Sequence, residues 1–239
     1  MIPLILSSSS ISSYLACHYR YFLAEVWRLP SQSSTAMAIG SAVHAGAEVR
    51  QNGGDLVDAF DIAAMELDEE LPAEPDEPFD TIIGDAERML RVYEEKVLPG
   101  RHATMIEEPI TATINGIAFS GILDAADETI DTIYDLKTHS GRSPSFDPKP
   151  HVYQLTGYGI LYEHRTGRAP QHYLIDLITR TGRYRQYEIT PDRGEFIDVL
   201  GLVSRGILAG EFEPTGANAG RCKWCPYVMV CKYAKVDES

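Results

Sequence analysis

Apolar residues recur at helical spacing through the first hundred or so residues of the chain. A serine run caps the first such segment, in which Ile11, Tyr14 and Tyr21 share one helical face. The stretch "AIGSAVHAGAEVRQNGG" predicts a second helix that ends at its glycine pair. An acidic helix, the proline-rich connection "LPAEPDEPFD" and the helical pattern "TIIGDAERMLRVYEEKVLPG" follow. The N-terminal part is therefore predicted to be mainly helical.

Strand-like patterns replace the helical ones after residue 105. Five runs predict strands, namely "IEEPITATI", "IAFSGILDAAD", "DTIYDLKTHS", "HYLIDLITR" and "RYRQYEIT". "HVYQLTGYGILYEHRTG" predicts a helix between the third and fourth strands, and "DRGEFIDVLGLVSRGILAG" predicts the last long helix. This order of elements predicts an α/β or α+β fold with a mixed central sheet flanked by helices.

Length and composition fit one globular domain over residues 1–239. With 44% hydrophobic and 23% charged residues, the chain can bury a sizeable core. We divide it into a helical part at 1–105, a core at 106–210 and a tail at 211–239. No apolar run reaches the length that crosses a membrane, and "MIPLILSSSS" lacks the basic flank of a secretory signal. We therefore expect a cytoplasmic protein with no membrane partner.

The net charge of −14 argues at first against a nucleic-acid partner, but the charge is unevenly distributed. Residues 51–80 hold eleven Asp or Glu and no Lys or Arg, whereas residues 137–185 hold eight Lys or Arg and three acids. A local basic face matters more for binding phosphates than the total charge does. The candidate phosphate-binding residues are Arg142, Arg180, Arg183 and Arg185. The alternative is that these arginines only confer solubility. The acidic segment could cover the cleft, bind a partner or form a solvated helical lobe, and we favour the lobe.

Two carboxylates and a lysine form the sharpest chemical pattern, D-x10-D-x-K, at Asp124, Asp135 and Lys137. Side chains two residues apart in a strand share a face, and a hairpin through "ADETID" can bring Asp124 beside the other two. Two neighbouring carboxylates repel each other unless a hard divalent cation such as Mg²⁺ relieves them. A pocket that holds a divalent cation and a lysine has the groups that catalyse hydrolysis of a phosphodiester bond. The alternative for an acid–x–Lys pattern is a solvated strand face.

Two predicted helices carry further polar pairs at a spacing of four residues, which places each pair on one face. His44 and Glu48 form the first pair, and Gln154 and Tyr158 form the second. Gln154 and Tyr158 can hydrogen-bond a phosphate or orient Lys137. The alternatives are a structural role for His44 and simple exposure for Glu48.

The four cysteines form a split set, with Cys17 near the N-terminus and Cys222, Cys225 and Cys231 spaced C-x2-C-x5-C in the tail. A reducing compartment disfavours disulfides. Four thiolates are what a closed zinc or iron–sulfur site requires. Cys17 would then be the fourth ligand, and the site would join the two ends of the chain. By count alone zinc and iron–sulfur fit equally, and buried apolar thiols are the remaining alternative.

The order of these cysteine, histidine, carboxylate, lysine, glutamine and tyrosine residues along the chain resembles the RecB-like branch of the PD-(D/E)XK nucleases. More narrowly, it resembles the CRISPR-associated exonuclease Cas-four and the nuclease domain of AddB. The resemblance spans residues 7–231 and rests on the joint presence of the split cysteine set and D-x10-D-x-K. It implies a single RecB-like domain with a restriction-endonuclease-like core. His18 departs from the pattern because many relatives have proline after the first cysteine, and Asp135 stands where many have glutamate.

The resemblance also implies a role for each matching residue. The implied ligands of Mg²⁺ or Mn²⁺ are His44, Asp124, Asp135 and the backbone carbonyl of Leu136. The implied catalytic set is Asp124, Asp135, Lys137, Gln154 and Tyr158. The implied ligands of a 4Fe–4S cluster, with zinc as the alternative occupant, are Cys17, Cys222, Cys225 and Cys231.

The leading functional hypothesis is a metal-dependent nuclease, exonuclease or endonuclease, that acts on single-stranded DNA or DNA ends. A second hypothesis makes it the nuclease subunit of a CRISPR adaptation complex, which processes spacer precursors with an integrase. The alternative to a CRISPR role is a role in DNA repair or in a phage, with recombination or repair proteins as partners. A third is a non-catalytic DNA-binding module stabilised by a cluster or zinc, which the joint presence of Asp124, Asp135 and Lys137 disfavours.

Overall fold

The computed structural model describes residues 4–31, 33–141, 147 and 149–235. The chain divides into two compact units, each assembled from segments that are distant in sequence. Unit 1 comprises Met1–Gln32, Thr111–Gly121 and Asp192–Ser239, and unit 2 comprises Ser33–Ile110 and Ile122–Pro191. The sequence-based boundaries at 105 and 210 stay a prediction.

The predicted fold class is confirmed, since a mixed sheet is flanked by helices. The helices are α1 (Ser8–Ala16), α2 (His18–Tyr21), α3 (Thr35–Gln51), α4 (Leu56–Glu70), α5 (Phe79–Val92), α6 (Val152–Thr166), α7 (Arg193–Ala209) and α8 (Thr215–Asn218). The strands are β1 (Ile5–Leu6), β2 (Met105–Ile114), β3 (Ile117–Asp127), β4 (Thr132–His139), β5 (His172–Thr179) and β6 (Tyr184–Glu188). Short π-helical turns cover Phe22–Val26 and Tyr93–Val97, and 3₁₀ turns cover Leu98–Gly100, Lys149–His151 and Cys222–Trp224.

The sheet of unit 2 is built around the parallel pair β4 and β5, which runs from Thr132↔His172 to His139↔Thr179. Parallel neighbours need a long crossover connection, and α6 lies within it. β3 pairs with β4 and β6 pairs with β5, both antiparallel. The sheet is therefore mixed, with a parallel centre and hairpins on either side.

Side-chain alternation gives this sheet two different faces. Leu136 and Ile178 pack into an apolar cluster with α3, α4 and α5. Ile175 packs instead against Leu155 of α6. Because successive residues of a strand point to opposite faces, the neighbours of Leu136 along β4 point away from α3. The odd-numbered positions of β4, which include Asp135, are thereby directed towards α6.

The acidic segment contains the helix α4, which packs on α3 through small and apolar side chains. Ala63 and Leu67 lie in the buried cluster, whereas most carboxylates of residues 51–80 are exposed. The side chain of Asp55 caps α4 by accepting the N–H groups of Val57 and Asp58. The segment is thus a solvated helical layer with one buried stripe, as the sequence suggested.

Unit 1 brings the N-terminal helices together with the C-terminal segment. The hydroxyl of Tyr14 donates to the carbonyl of Glu211 at 2.9 Å, and the ring of Tyr14 stacks on His18 at 4.0 Å. The short strand β1 pairs in parallel with the first part of β3. Within the residues that the structure describes, no helix is long and apolar enough to cross a membrane.

Candidate functional site

The candidate site lies where β3 and β4 separate. The register of the pair extends from Asp127↔Thr132 to Ala125↔Tyr134. One residue beyond that end, a carboxylate oxygen of Asp124 accepts the backbone N–H of Leu136 at 2.8 Å. A side chain therefore satisfies a strand N–H that would otherwise pair with a neighbouring strand. This bond anchors one oxygen of Asp124 at the opening between the strands.

Asp135 and Lys137 project together from β4, as strand alternation predicts. The Nζ of Lys137 lies 2.8 Å from both carboxylate oxygens of Asp135 but is angled to donate to Oδ1. The Oδ2 of Asp135 is buried and accepts no hydrogen bond from any described residue. An acceptor oxygen of this kind is suited to a cation.

The electrostatics of this pair favour a charged lysine. Burial opposes the charged form of Lys137, but the carboxylates of Asp135 and Asp124 outweigh it and raise the pKa of the amine. Burial also raises the pKa of Asp124, partly offset by the positive charge of Lys137. A divalent cation would favour the ionised forms of Asp124 and Asp135, because its positive charge offsets their negative charges.

Asp124 is one of three neighbouring side chains that could bind a metal ion. Among the described residues, ligand atoms of His44, Glu107 and Asp124 lie within 4.8 Å of one another. The Nδ1 of His44 is 3.6 Å from the Oδ2 of Asp124, and its imidazole also faces the backbone carbonyl of Leu136. Burial and the nearby Lys137 lower the pKa of His44, so the imidazole is neutral and can act as a ligand. Asp135 does not belong to this set of three.

Glu107 is the functional candidate that sequence analysis missed. The run "IEEPITATI" contains two adjacent glutamates in a strand, and nothing in it shows which one faces the site. Glu107 has a left-handed backbone conformation, with φ 45°, which is rare for a residue other than glycine. Burial, together with the carboxylates of Asp124 and Glu48, raises its pKa to about 7. A carboxylate crowded by others in this way gains most from a bound cation.

The helix α6 adds hydrogen-bonding groups to the site. The Nε2 of Gln154 donates to the hydroxyl of Tyr158 at 3.0 Å, so the predicted pair faces one way. Burial raises the pKa of Tyr158 to about 12, which keeps the hydroxyl protonated. His151, which sequence analysis also missed, lies beside Gln154 and Lys137. Burial and the charge of Lys137 lower the pKa of His151.

A family profile described as the PD-(D/E)XK nuclease superfamily matches residues 5–232. The chain belongs to this superfamily. The match includes every residue of the site described above. None of the curated proteins compared with the chain matches it.

Two solved structures resemble the fold of this nuclease. One is a candidate exonuclease from Eubacterium rectale, at 15% identity and TM-score 0.62, with 86% of this chain and 79% of that chain covered. The other is the protein SSO0001, at 15% identity and TM-score 0.50, with 97% of this chain and 88% of that chain covered. At this level of identity the likeness concerns the fold alone.

The arginines predicted to contact DNA fall into three groups. Arg180 is held by ion pairs, with both oxygens of Glu77 at 2.8 Å and with Asp85, so its guanidinium is already engaged. Arg183 and Arg185 are exposed, and Arg185 lies over the ring of Tyr187 at 4.7 Å. The position of Arg142 lies outside the described residues. The hairpin between β5 and β6 therefore presents two exposed arginines rather than three.

The cysteines of unit 1 come together. Cys17 and the three tail cysteines line one cavity of about 40 Å³, and none of the four forms a disulfide. Gly216 closes one side, since a Cβ atom there would lie 2.7 Å from the Cβ of Cys17. Tyr227 holds the tail by donating to the carbonyl of Leu29 at 3.2 Å. The four thiols thus share a pocket that both ends of the chain form.

Proposed function

We propose that the protein is a metal-dependent deoxyribonuclease that hydrolyses phosphodiester bonds of single-stranded DNA or DNA ends. The observation that carries this proposal is the convergence of His44, Glu107 and Asp124 within 4.8 Å. Lys137 reaches the same region through Asp135, and superfamily membership supports the same reaction class.

The ligands of Mg²⁺ or Mn²⁺ in this proposal are His44, Glu107, Asp124, Asp135 and the carbonyl of Leu136. The neutral imidazole supports this assignment, as does the buried Oδ2 of Asp135, which lies beside Lys137 but accepts no hydrogen bond from it. A bound divalent cation would act as a Lewis acid on the phosphate. Lys137, kept charged by its carboxylate neighbours, would stabilise negative charge developing on the phosphoryl oxygens. Gln154 and Tyr158 would position Lys137 or the phosphate.

The four cysteines are proposed to hold a 4Fe–4S cluster with a structural role. Their shared cavity of about 40 Å³ is several times the ~10–15 Å³ that one water molecule requires. The shared cavity supports a common ligand for the four thiols, and the resemblance to cluster-bearing nucleases favours a 4Fe–4S cluster over a single zinc ion. The setting of the nuclease, CRISPR adaptation with an integrase or a repair or phage pathway, stays a prediction that co-purification can test.

The proposed function is tested on protein purified without oxygen. End-labelled single strands and duplexes are incubated with Mg²⁺, Mn²⁺ or EDTA, and iron, sulfide and zinc are quantified in the same preparation. Divalent-dependent cleavage is the expected result, and product length separates exonuclease from endonuclease action. Equal cleavage in EDTA, or none with either metal, would contradict the proposal.

Replacing Glu107 with glutamine is expected to weaken Mn²⁺ binding by about tenfold or more, because a charged ligand is removed next to Asp124. Cleavage should fall at least as far. Glu108→Gln is the matched control, since Glu108 is the next residue of β2, is partly exposed and lies 3.6 Å from Arg165. Metal titration of both proteins makes the comparison, and equal affinities would remove Glu107 from the site.

Neutralising Arg183 and Arg185 together is expected to weaken binding of single-stranded DNA and to flatten its salt dependence. For every phosphate that an arginine no longer neutralises, the slope of log K against log salt should become shallower by about 0.7. Binding isotherms at several salt concentrations measure the slope. Arg193→Gln serves as a control because Arg193 is an exposed arginine outside this hairpin. An unchanged slope in the double variant would place this hairpin off the DNA path.

A further inference from the structure

A small cavity lies beside Asp124 and Leu136, and Lys137 is not part of its lining. Its volume is about 10 Å³, which is close to the space that one buried water molecule needs. Polar side chains from several elements line it, and they include Gln51, Arg101, Asp124 and Asp176. Tyr93, Ala125, Tyr134 and Leu136 complete the lining. The four polar side chains offer a water molecule the roughly two to four partners that a buried water requires.

Arg101 enters this cavity from a fixed position. Its guanidinium forms a buried ion pair with Asp176, and the two side chains are 5% and 1% exposed. The guanidinium also stacks on Tyr134 at 3.4 Å from the ring centre. Asp176 is itself held by Tyr184 and Gln186, which donate to its Oδ1 at 2.7 and 3.0 Å. The arginine therefore has little freedom to turn away.

Two polar atoms at this cavity are buried without a hydrogen-bond partner among the described residues. They are the Nε of Arg101, which can only donate, and the Oε1 of Gln51, which can only accept. Leaving such buried groups unsatisfied is unfavourable, because they lose the hydrogen bonds that water would supply. A single water molecule could accept from Arg101, donate one hydrogen to Gln51 and donate the other to the carboxylate of Asp124.

We propose that Arg101 is a positioning residue for Asp124, acting with Gln51 through one water molecule bound in this cavity. The water would hold the Asp124 carboxylate from behind, in addition to the bond from Leu136, and direct it towards His44 and Glu107. Arg101 also faces Asp124 with its positive charge, so a test of the positioning role has to keep that charge. This inference rests on the proposed function, in which Asp124 is a metal ligand.

Two variants test the water-mediated link from different sides. Arg101→Lys keeps a positive charge for Asp176 but lacks the Nε donor, and Gln51→Leu removes the acceptor without changing any charge. Each is expected to weaken Mn²⁺ binding about tenfold, the lower end of the range for groups that support metal ligands. Gln171→Leu is the control, because it makes the same change at an exposed glutamine of unit 2 that does not line the cavity. Electron paramagnetic resonance measures free Mn²⁺ without DNA, and thermal melting follows the fold.

The outcomes distinguish a failure of this inference from a failure of the proposed nuclease function. Tenfold weaker binding in Arg101→Lys and Gln51→Leu, with Gln171→Leu close to the unmodified protein, supports the positioning role. Binding unchanged in Gln51→Leu, or weakened equally in Gln171→Leu, overturns it. If Arg101→Lys fails to fold, Gln51→Leu decides alone. If Asp124→Asn itself leaves Mn²⁺ binding unchanged, the proposed function fails as well.

Discussion

Replacing Asp124 with asparagine is expected to reduce DNA cleavage by about 1,000-fold or more while the protein stays folded. The change removes one charge from the cation site, and a metal ion contributes several kcal/mol to such a reaction. Asparagine keeps a side-chain oxygen that can still accept the N–H of Leu136, so the opening between β3 and β4 should persist. Cleavage of an end-labelled single strand with Mg²⁺ measures the loss, and thermal melting confirms the fold.

Two further variants make this result specific. Asp198→Asn changes an exposed carboxylate on α7 in the other unit and should leave cleavage unchanged. Lys137→Met should abolish turnover yet keep most of the Mn²⁺ affinity, because the lysine is expected to contact the phosphate rather than the cation. Full activity of the Asp124→Asn protein would show that the cation site lies elsewhere.

Replacing Cys17 with alanine is expected to bleach the protein and to lower its melting temperature by roughly 10 °C. The four thiols line one cavity but come from opposite ends of the chain, so a cluster there cross-links unit 1. Losing several kcal/mol in a chain of this size corresponds to a shift of that order. Iron analysis and the visible absorption spectrum measure the loss of the cluster, and thermal melting measures the loss of stability.

The same experiment separates the alternative occupants of the cysteine site. Ser12→Ala, at an exposed position of α1, controls for a small change in the helix that ends just before Cys17 and should keep the colour. If the unmodified protein is colourless and contains zinc, the occupant of the cysteine site is zinc rather than a cluster. A Cys17→Ala protein with its full content of iron would exclude Cys17 as a ligand.

The sequence predicted the elements well because their determinants are local. The run "IAFSGILDAAD" coincides with β3 at Ile117–Asp127, and the five predicted strands all occur. The sequence analysis did not include β1, which has two residues and carries too short a pattern. Asp135 and Lys137 could be paired in advance, because a side-chain period of two is a property of any strand.

Other features of the site depend on partners that are distant in sequence. Glu107 and Glu108 are chemically identical, and only the folded backbone directs Glu107 towards Asp124. Arg180 has the sequence context of a phosphate-binding residue, yet Glu77 and Asp85 neutralise it in the folded chain. No local pattern could separate Arg180 from Arg183, because the two carboxylates that neutralise Arg180 come from α5 and the segment before it, about a hundred residues earlier in the chain.

The sequence by itself determined the order of helices and strands, the pairing of Asp135 with Lys137 and the set of four cysteines. These follow from periodicity and residue chemistry within short stretches of chain. Only the tertiary structure decided that Asp124 fills the gap between β3 and β4, that Glu107 completes the set with His44, and that Arg101 is buried behind them. Such contacts depend on burial and on the charges that long-range packing brings together, and these are properties of the folded chain alone.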